Sequence, residues 1–278
     1  MHGYVMHPLA AELCDSHGVP HWPPRGQDPK HAIGDEPSWA AFCIHSPAML
    51  ARPKDWPANH DTIGFMHAPL HDPLPLDLAA FIKAAKVDQV PLAFIGLGSA
   101  LWVGFDSKED SQVALQALYD GAVHASRDLA ADGFRVILQT VTTPAGDYLT
   151  PTLGPAAKDL VFVLSQSASH DMIFPHCAVV ASHGGVGTLQ TTLLHGAVPV
   201  IFPCIPTGDE PFWASFVQYR GLGVHGGPAL TMHAESVSKA FKAAFAGLEA
   251  FREKVEEVRR GMARERPVDR VLAWIEAE

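Results

Sequence analysis

Residues 182–188 read Ser-His-Gly-Gly-Val-Gly-Thr, between the apolar run Ala178-Val179-Val180-Ala181 and a stretch whose Leu189, Leu193 and Leu194 share one helical face. This pattern is a strand, a glycine-rich turn and a helix that Gly196 stops. Glycines here let a ligand approach the backbone closely, because no Cβ stands in the way. The first turn of a helix leaves N–H groups without partners and presents the positive end of the helix dipole. Together these suit an anion of the phosphate type. His183 adds an imidazole beside the turn, although a core histidine capping its own turn fits the same pattern.

Two familiar phosphate motifs do not describe this turn. A Walker loop requires Gly-Lys-Ser/Thr, and the segment contains no lysine. A dinucleotide fingerprint places a third glycine where Gln190 stands and an acidic residue about 20 positions on, after the next strand. Asp209 falls near that distance, but past Pro203 and Pro206 on a loop.

The elements that must hold the turn follow from apolar runs. Leu92-Ala93-Phe94-Ile95-Gly96 reads as a short buried strand, followed by Leu97-Gly98-Ser99. Residues 134–138, 160–164, 178–181 and 198–202 are further strand-length runs. Helical patterns cover 111–131, 188–195, 211–220 and 234–246, with two more helices at 249–263 and 267–277. In the last of these Val268, Val271, Leu272 and Ile275 recur at helical spacing. Short apolar strands alternating with helices imply an α/β fold: a Rossmann-like parallel sheet with helices on both faces. Residues 1–90 are proline-rich and irregular, with one helix from about Leu78 to Val87. The expected division is 1–88 as an N-terminal remnant and linker, and 89–278 as the ligand-binding domain.

Composition narrows the partners. The chain has 278 residues, a formal net charge of −10, 47% hydrophobic and 18% charged residues. That acidic balance argues against a nucleic-acid ligand and makes any anion site depend on local backbone geometry. Cys14, Cys43, Cys177 and Cys204 are far apart with no CxxC pair, which suits reduced thiols. No membrane-length apolar stretch and no signal-peptide pattern is present, so the expected location is cytoplasmic. Sixteen histidines raise the question of metal. There is no HExxH, and His67-x-x-x-His71 lies in a proline-rich stretch that cannot hold a helix. Neither a metal nor a cofactor is expected.

One further resemblance joins these segments. Ser182-His183-Gly184-Gly185-Val186-Gly187-Thr188, then Val198-Pro199-Val200-Ile201-Phe202-Pro203, then Asp209-Glu210-Pro211-Phe212-Trp213 resemble the C-terminal signature of the inverting GT-B glycosyltransferases. The sterol glucosyltransferases and antibiotic glycosyltransferases are the nearest look-alikes. The likeness extends upstream through Ser169-His170-Asp171-Met172-Ile173-Phe174-Pro175 and Gly96-Leu97-Gly98-Ser99. Ser46-Pro47, Arg52-Pro53-Lys54-Asp55-Trp56-Pro57 and Gly64-Phe65 look like the sterol-type linker between two domains. In all it covers roughly residues 45–250.

The resemblance implies a hexosyltransferase that moves a sugar from a UDP-sugar to a lipid, sterol-like or small-molecule hydroxyl, with inversion. It assigns His183, Gly184, Gly185, Gly187 and Thr188 to the diphosphate, with Ser99 as a second phosphate neighbour. Asp209 and Glu210 match the pair that takes the sugar hydroxyls, and His170, Asp171 and Trp213 would lie near the donor. Fixed donors at the leaving diphosphate would stabilise the transition state more than the ground state, with no divalent metal needed.

The sequence also departs from the pattern. Glu210 stands where the family has glutamine, so it accepts hydrogen bonds but cannot donate. At about 7 Å and an effective dielectric of about 20 it would repel a diphosphate by roughly 2 kcal/mol, so Glu210→Gln is expected to tighten donor binding. Ser182 replaces a histidine, Met172 a tryptophan, and Thr140-Val141-Thr142-Thr143 follows Gln139 where the family has Gly-Trp. Only 45 residues precede Ser46, where a second Rossmann domain takes over about 100. An acceptor domain with its general base is therefore expected to come from elsewhere, and no catalytic base is assigned. The alternatives are a non-catalytic donor-binding module, with a separate chain supplying the acceptor domain, or a truncated and inactive form.

Overall fold

The computed structural model describes residues 41–56, 58–98, 100, 107–128, 133–140, 142–143, 146–147 and 159–277. Ser99, expected beside a phosphate, lies outside the described residues.

Before the main sheet, β1 (Ala41–Cys43) and β2 (His60–Thr62) pair in parallel as a small separate sheet. The sequence did not announce them, because three residues are too few to show periodicity. Then come α1 (Leu76–Val87), β3 (Leu92–Gly96), α2 (Lys108–Asp128) and β4 (Arg135–Gln139). A two-residue antiparallel pair, β5 (Thr142–Thr143) and β6 (Gly146–Asp147), precedes β7 (Val161–Leu164). The chain continues through a single turn of helix, α3 (His170–Ile173), into β8 (Cys177–Ser182), α4 (Val186–Leu194), β9 (Val198–Ile201) and α5 (Glu210–Tyr219). It ends with β10 (Val224–His225), α6 (Ala234–Ala246), α7 (Leu248–Met262) and α8 (Pro267–Ala277).

Six strands form one sheet in the order β10-β9-β8-β3-β4-β7, with every neighbouring pair parallel. The expected α/β architecture is what the chain adopts. Alternation along β3 divides the core between two faces. Ala93 and Ile95 join Leu118, Ala122, Val237 and Phe241 from α2 and α6. Leu92 and Phe94 join Leu78, Ile82 and Ala85 of α1, together with Phe174. The expected division at 88/89 falls between this helix and the strand it covers. A third cluster gathers Leu189, Leu193, Trp213, Val217, Val255 and Val258 with Met49, so α4, α5 and α7 share a core with the segment before β2.

Polar contacts fasten that early segment to the rest. The Ser46 amide donates to Gln190 Oε1 at 2.7 Å, and its hydroxyl donates to Glu265 Oε1 at 2.5 Å. The Phe65 amide donates to the other Glu265 oxygen at 3.3 Å. Among the described residues no helix is long and apolar enough to cross a membrane.

The strand order fixes where a ligand can sit. From β3 the chain moves outward to β4 and β7, then returns to β8 on the other side of β3 and continues to β9 and β10. The order reverses between β3 and β8. In open α/β sheets such a reversal opens a crevice beyond the carboxyl ends of the two strands, because their connections diverge to opposite faces.

Candidate anion-binding site

Register brings three strand exits together at that crevice. Gly96 of β3 lies beside Ser182 of β8, and Ser182 lies beside Ile201 of β9. Ser182 is 3% exposed. The residue that replaces a histidine in the resemblance is therefore part of the wall behind the site.

After Ser182 the chain turns through Gly184 at φ +100°, a conformation that a side chain would strain. A Cβ there would lie 2.5 Å from Ile201 Cγ2 and 3.5 Å from the Glu210 carbonyl oxygen. Gly184 is thus the point at which the glycine turn touches the start of α5. Gly185 caps α4, and no side chain caps that helix, so the first-turn amides stay available. A Cβ on Gly185 would lie 2.5 Å from Nε2 of His183, so the missing side chain leaves room for the ring. On the other side Gly98, at φ +57°, would place a Cβ 3.9 Å from Nδ1 of His183. The imidazole therefore stands between the exits of β3 and β8. Gly187 is exposed, and a Cβ on it would meet nothing within 4 Å.

The electrostatics of His183 are unusual. Its Nδ1 is buried, and the ring is hydrogen-bonded to the Leu97 backbone. Burial lowers its pKa below 6.5, against the upward pull of Glu210, Asp209 and the Leu97 backbone. A neutral imidazole can donate from one nitrogen and accept at the other.

The two acidic residues are engaged in holding the loop. Glu210 is 4% exposed, and its Oε2 accepts from the amides of Cys204 at 2.6 Å and Ile205 at 2.9 Å. Asp209 Oδ2 accepts from Nε1 of Trp213 at 2.8 Å. Trp213 is 7% exposed and belongs to the core shared by α4, α5 and α7. Carboxylate and indole brace each other, and both acids stay close enough to raise the pKa of His183.

His170 and Asp171 have other surroundings. The His170 ring stacks on Phe174 at 4.5 Å, with Phe94 edge-on at 5.5 Å, and burial lowers its pKa. Asp171 Oδ1 accepts from Nε2 of His67 at 2.7 Å and from Nε2 of His195 at 2.8 Å. Its Oδ2 accepts from the Leu70 amide at 3.0 Å. Burial would raise the Asp171 pKa, but hydrogen bonds from His195, the Leu70 amide and His67 hold it at about 2. His195 caps the far end of α4, about 13 Å along the helix from the glycine turn. No local spacing could have disclosed this triad, since His67 is 104 positions from Asp171 and His195 is 24.

No protein-family model matches the chain. It is 30% identical over 181 residues to a sterol 3-beta-glucosyltransferase of Arabidopsis thaliana, covering 64% of this chain and 24% of that protein. It is 29% identical over 220 residues to the glycosyltransferase GtfE of Amycolatopsis orientalis, covering 78% of this chain and 44% of that protein. Among solved structures, the calicheamicin glycosyltransferase CalG4 superposes with a TM-score of 0.57 at 18% identity, over 98% of this chain and 66% of its own. The glycosyltransferase SnogD from Streptomyces nogalater gives 0.59 at 19% identity, over 96% and 60%. The chain thus spans from 24% to 44% of the length of those curated relatives.

Proposed function

We propose, for a chain similar in sequence to sterol and antibiotic glycosyltransferases and in fold to solved glycosyltransferases, that it is the C-terminal half of a GT-B glycosyltransferase, binds the diphosphate of a UDP-sugar at the glycine turn and serves hexosyl transfer to a lipid, sterol-like or small-molecule hydroxyl, with inversion. The observation that carries this reading is the His183 ring set between Gly98 and Gly185, beside the uncapped start of α4, at the reversal of strand order.

The chemistry asks for stabilisation of the leaving group. An acceptor oxygen displaces the nucleoside diphosphate from the anomeric carbon, and negative charge grows on the phosphoryl oxygens as that bond breaks. Free amides at the start of α4 would contribute roughly 0.3–1 kcal/mol through the helix dipole. A hydrogen bond from His183 to a charged oxygen would contribute about 1.5–3 kcal/mol. The imidazole is therefore the larger single contribution. Asp209 and Glu210 reach the site from the start of α5, and Glu210 has one oxygen, Oε1, beyond the one that holds the 204–205 amides. That oxygen is the acceptor we assign to sugar hydroxyls.

Calorimetry with UDP and UDP-glucose, followed by turnover assays with a panel of acceptors, tests the proposal. Equimolar UDP binding that weakens in His183→Ala supports the site, and turnover supports transfer by this chain. Binding without turnover favours a donor-binding module completed by an acceptor domain on another chain. Absence of any UDP binding would remove the proposal.

A further inference from the structure

At the opposite end of α4 from the glycine turn, three side chains from three separate segments meet. We propose that His67, Asp171 and His195 form a binding site for one divalent metal ion of the zinc class. The inference is independent of the nucleotide site.

The donor atoms are Nε2 of His67, Oδ1 of Asp171 and Nε2 of His195, all within 4.8 Å of one another. Zinc bonds of about 2.0–2.2 Å at tetrahedral angles separate ligand atoms by roughly 3.3–3.5 Å. The present separations of 2.7 and 2.8 Å from each ring to the carboxylate need to open by roughly 0.5–0.8 Å to admit the ion. Each imidazole would then carry its proton on Nδ1 and offer the Nε2 lone pair.

The surroundings already fix the ligands. The second carboxylate oxygen of Asp171 accepts from the Leu70 amide, so Oδ1 remains aimed at the two rings. The Ser169 hydroxyl donates to the Leu70 carbonyl at 2.5 Å, which holds the same stretch from the other side. The His67 ring stacks on Phe65 at 5.0 Å and 23°. The His195 amide closes α4 onto Thr191, and Gly196, at φ +76°, ends the helix there. Outer hydrogen bonds of this kind orient metal ligands and keep their rotamers.

Exposure suits entry from solvent and a water as fourth ligand. The side chains of His67, His195 and Asp171 are 18%, 21% and 8% exposed. His67 also lines a cleft of about 450 Å³ between residues 65–68 and 265–269. Two imidazoles and one carboxylate select a borderline transition metal over magnesium or calcium, which prefer oxygen ligands throughout. One bound divalent ion would leave the cluster with a single positive charge, in a chain of formal net charge −10 that attracts cations. Its role would be to fasten the strap at residues 64–70 to the end of α4.

Zinc chloride titrated into the chelator-stripped chain, followed by calorimetry and thermal melting, tests the site. One equivalent should bind and raise the melting temperature. His195→Ala and Asp171→Asn should each weaken binding by at least about 100-fold. No binding, or binding as tight in both variants as in the parent, would overturn the proposal. Should the variants fail to fold, diethyl pyrocarbonate labelling of the parent chain decides it. Zinc should shield the His67 and His195 rings from modification, and equal labelling with and without zinc would count against the site.

Discussion

At the residue scale, His183 is the group whose replacement separates binding from folding. His183→Ala should weaken UDP binding by about 10- to 150-fold, the range of a hydrogen bond to a charged group, as read by calorimetry. Its titration has a second consequence. Burial holds the folded-state pKa below 6.5, so the unfolded chain takes up a proton that the folded chain resists. The stability that comes from keeping His183 neutral is complete above about pH 6.5 and is lost as pH falls from there toward the folded value. Urea unfolding at pH 7.5 and 5.5 should show a smaller acid loss in His183→Gln than in the parent chain. Two neighbouring glycines supply a contrast. Gly184→Ala forces a strained φ and a contact of 2.5 Å with Ile201, and should cost about 1–3 kcal/mol or more in urea unfolding. Gly187→Ala meets nothing, and as a helix-forming change should leave stability unchanged or raise it by up to about 1 kcal/mol. Loss of UDP affinity in Gly187→Ala would then report a ligand lying against the turn.

At the element scale, the loop from β9 to α5 is held by one carboxylate. Glu210→Ala would leave the amides of Cys204 and Ile205 without their acceptor, at about 1–3 kcal/mol for each amide left buried and unpaired. The start of α5 also backs the glycine turn through Gly184, so this variant should lose both stability and UDP binding. Glu210→Gln keeps an acceptor oxygen while removing charge. The expectation that it tightens binding therefore assumes that the amide side chain seats against residues 204–205 as the carboxylate does. A melting curve of Glu210→Gln beside its UDP titration reads the two effects separately.

At the scale of the whole molecule, the site works against its surroundings. A formal net charge of −10 would repel a diphosphate, and at the proposed site the local amides and imidazole would have to overcome that field. Added salt screens the repulsion, so UDP affinity should hold or rise modestly between about 20 and 200 mM salt. A protein that binds through a basic patch would lose affinity over the same range, and a steep fall here would mean that the contacts lie elsewhere. The molecule also joins distant parts of the chain. Ser46, Gln190 and Glu265 connect the segment before β2, the middle of helix α4 and the turn before α8, while His67, Asp171 and His195 join the segment after β2, α3 and the C-terminal end of α4.

The sequence by itself determined the α/β class, the positions of most strands and helices, and the glycine turn. All of these are local: periodicity, apolar runs and glycine spacing act within a few residues. The short strands β1, β2 and β10 and the single turn α3 lacked enough length to show a period. The tertiary structure decided which predicted residues share a site. It set His183 between Gly98 and Gly185, drew Glu210 and Asp209 toward the turn while engaging them with amides and an indole, and placed Trp213 in the core. It also joined Asp171 to His67 and His195, whereas in the sequence the near partner of His67 is His71. Such pairings depend on strand order and on where α4 ends, which is information carried by the packing of the whole sheet and by no single stretch of chain.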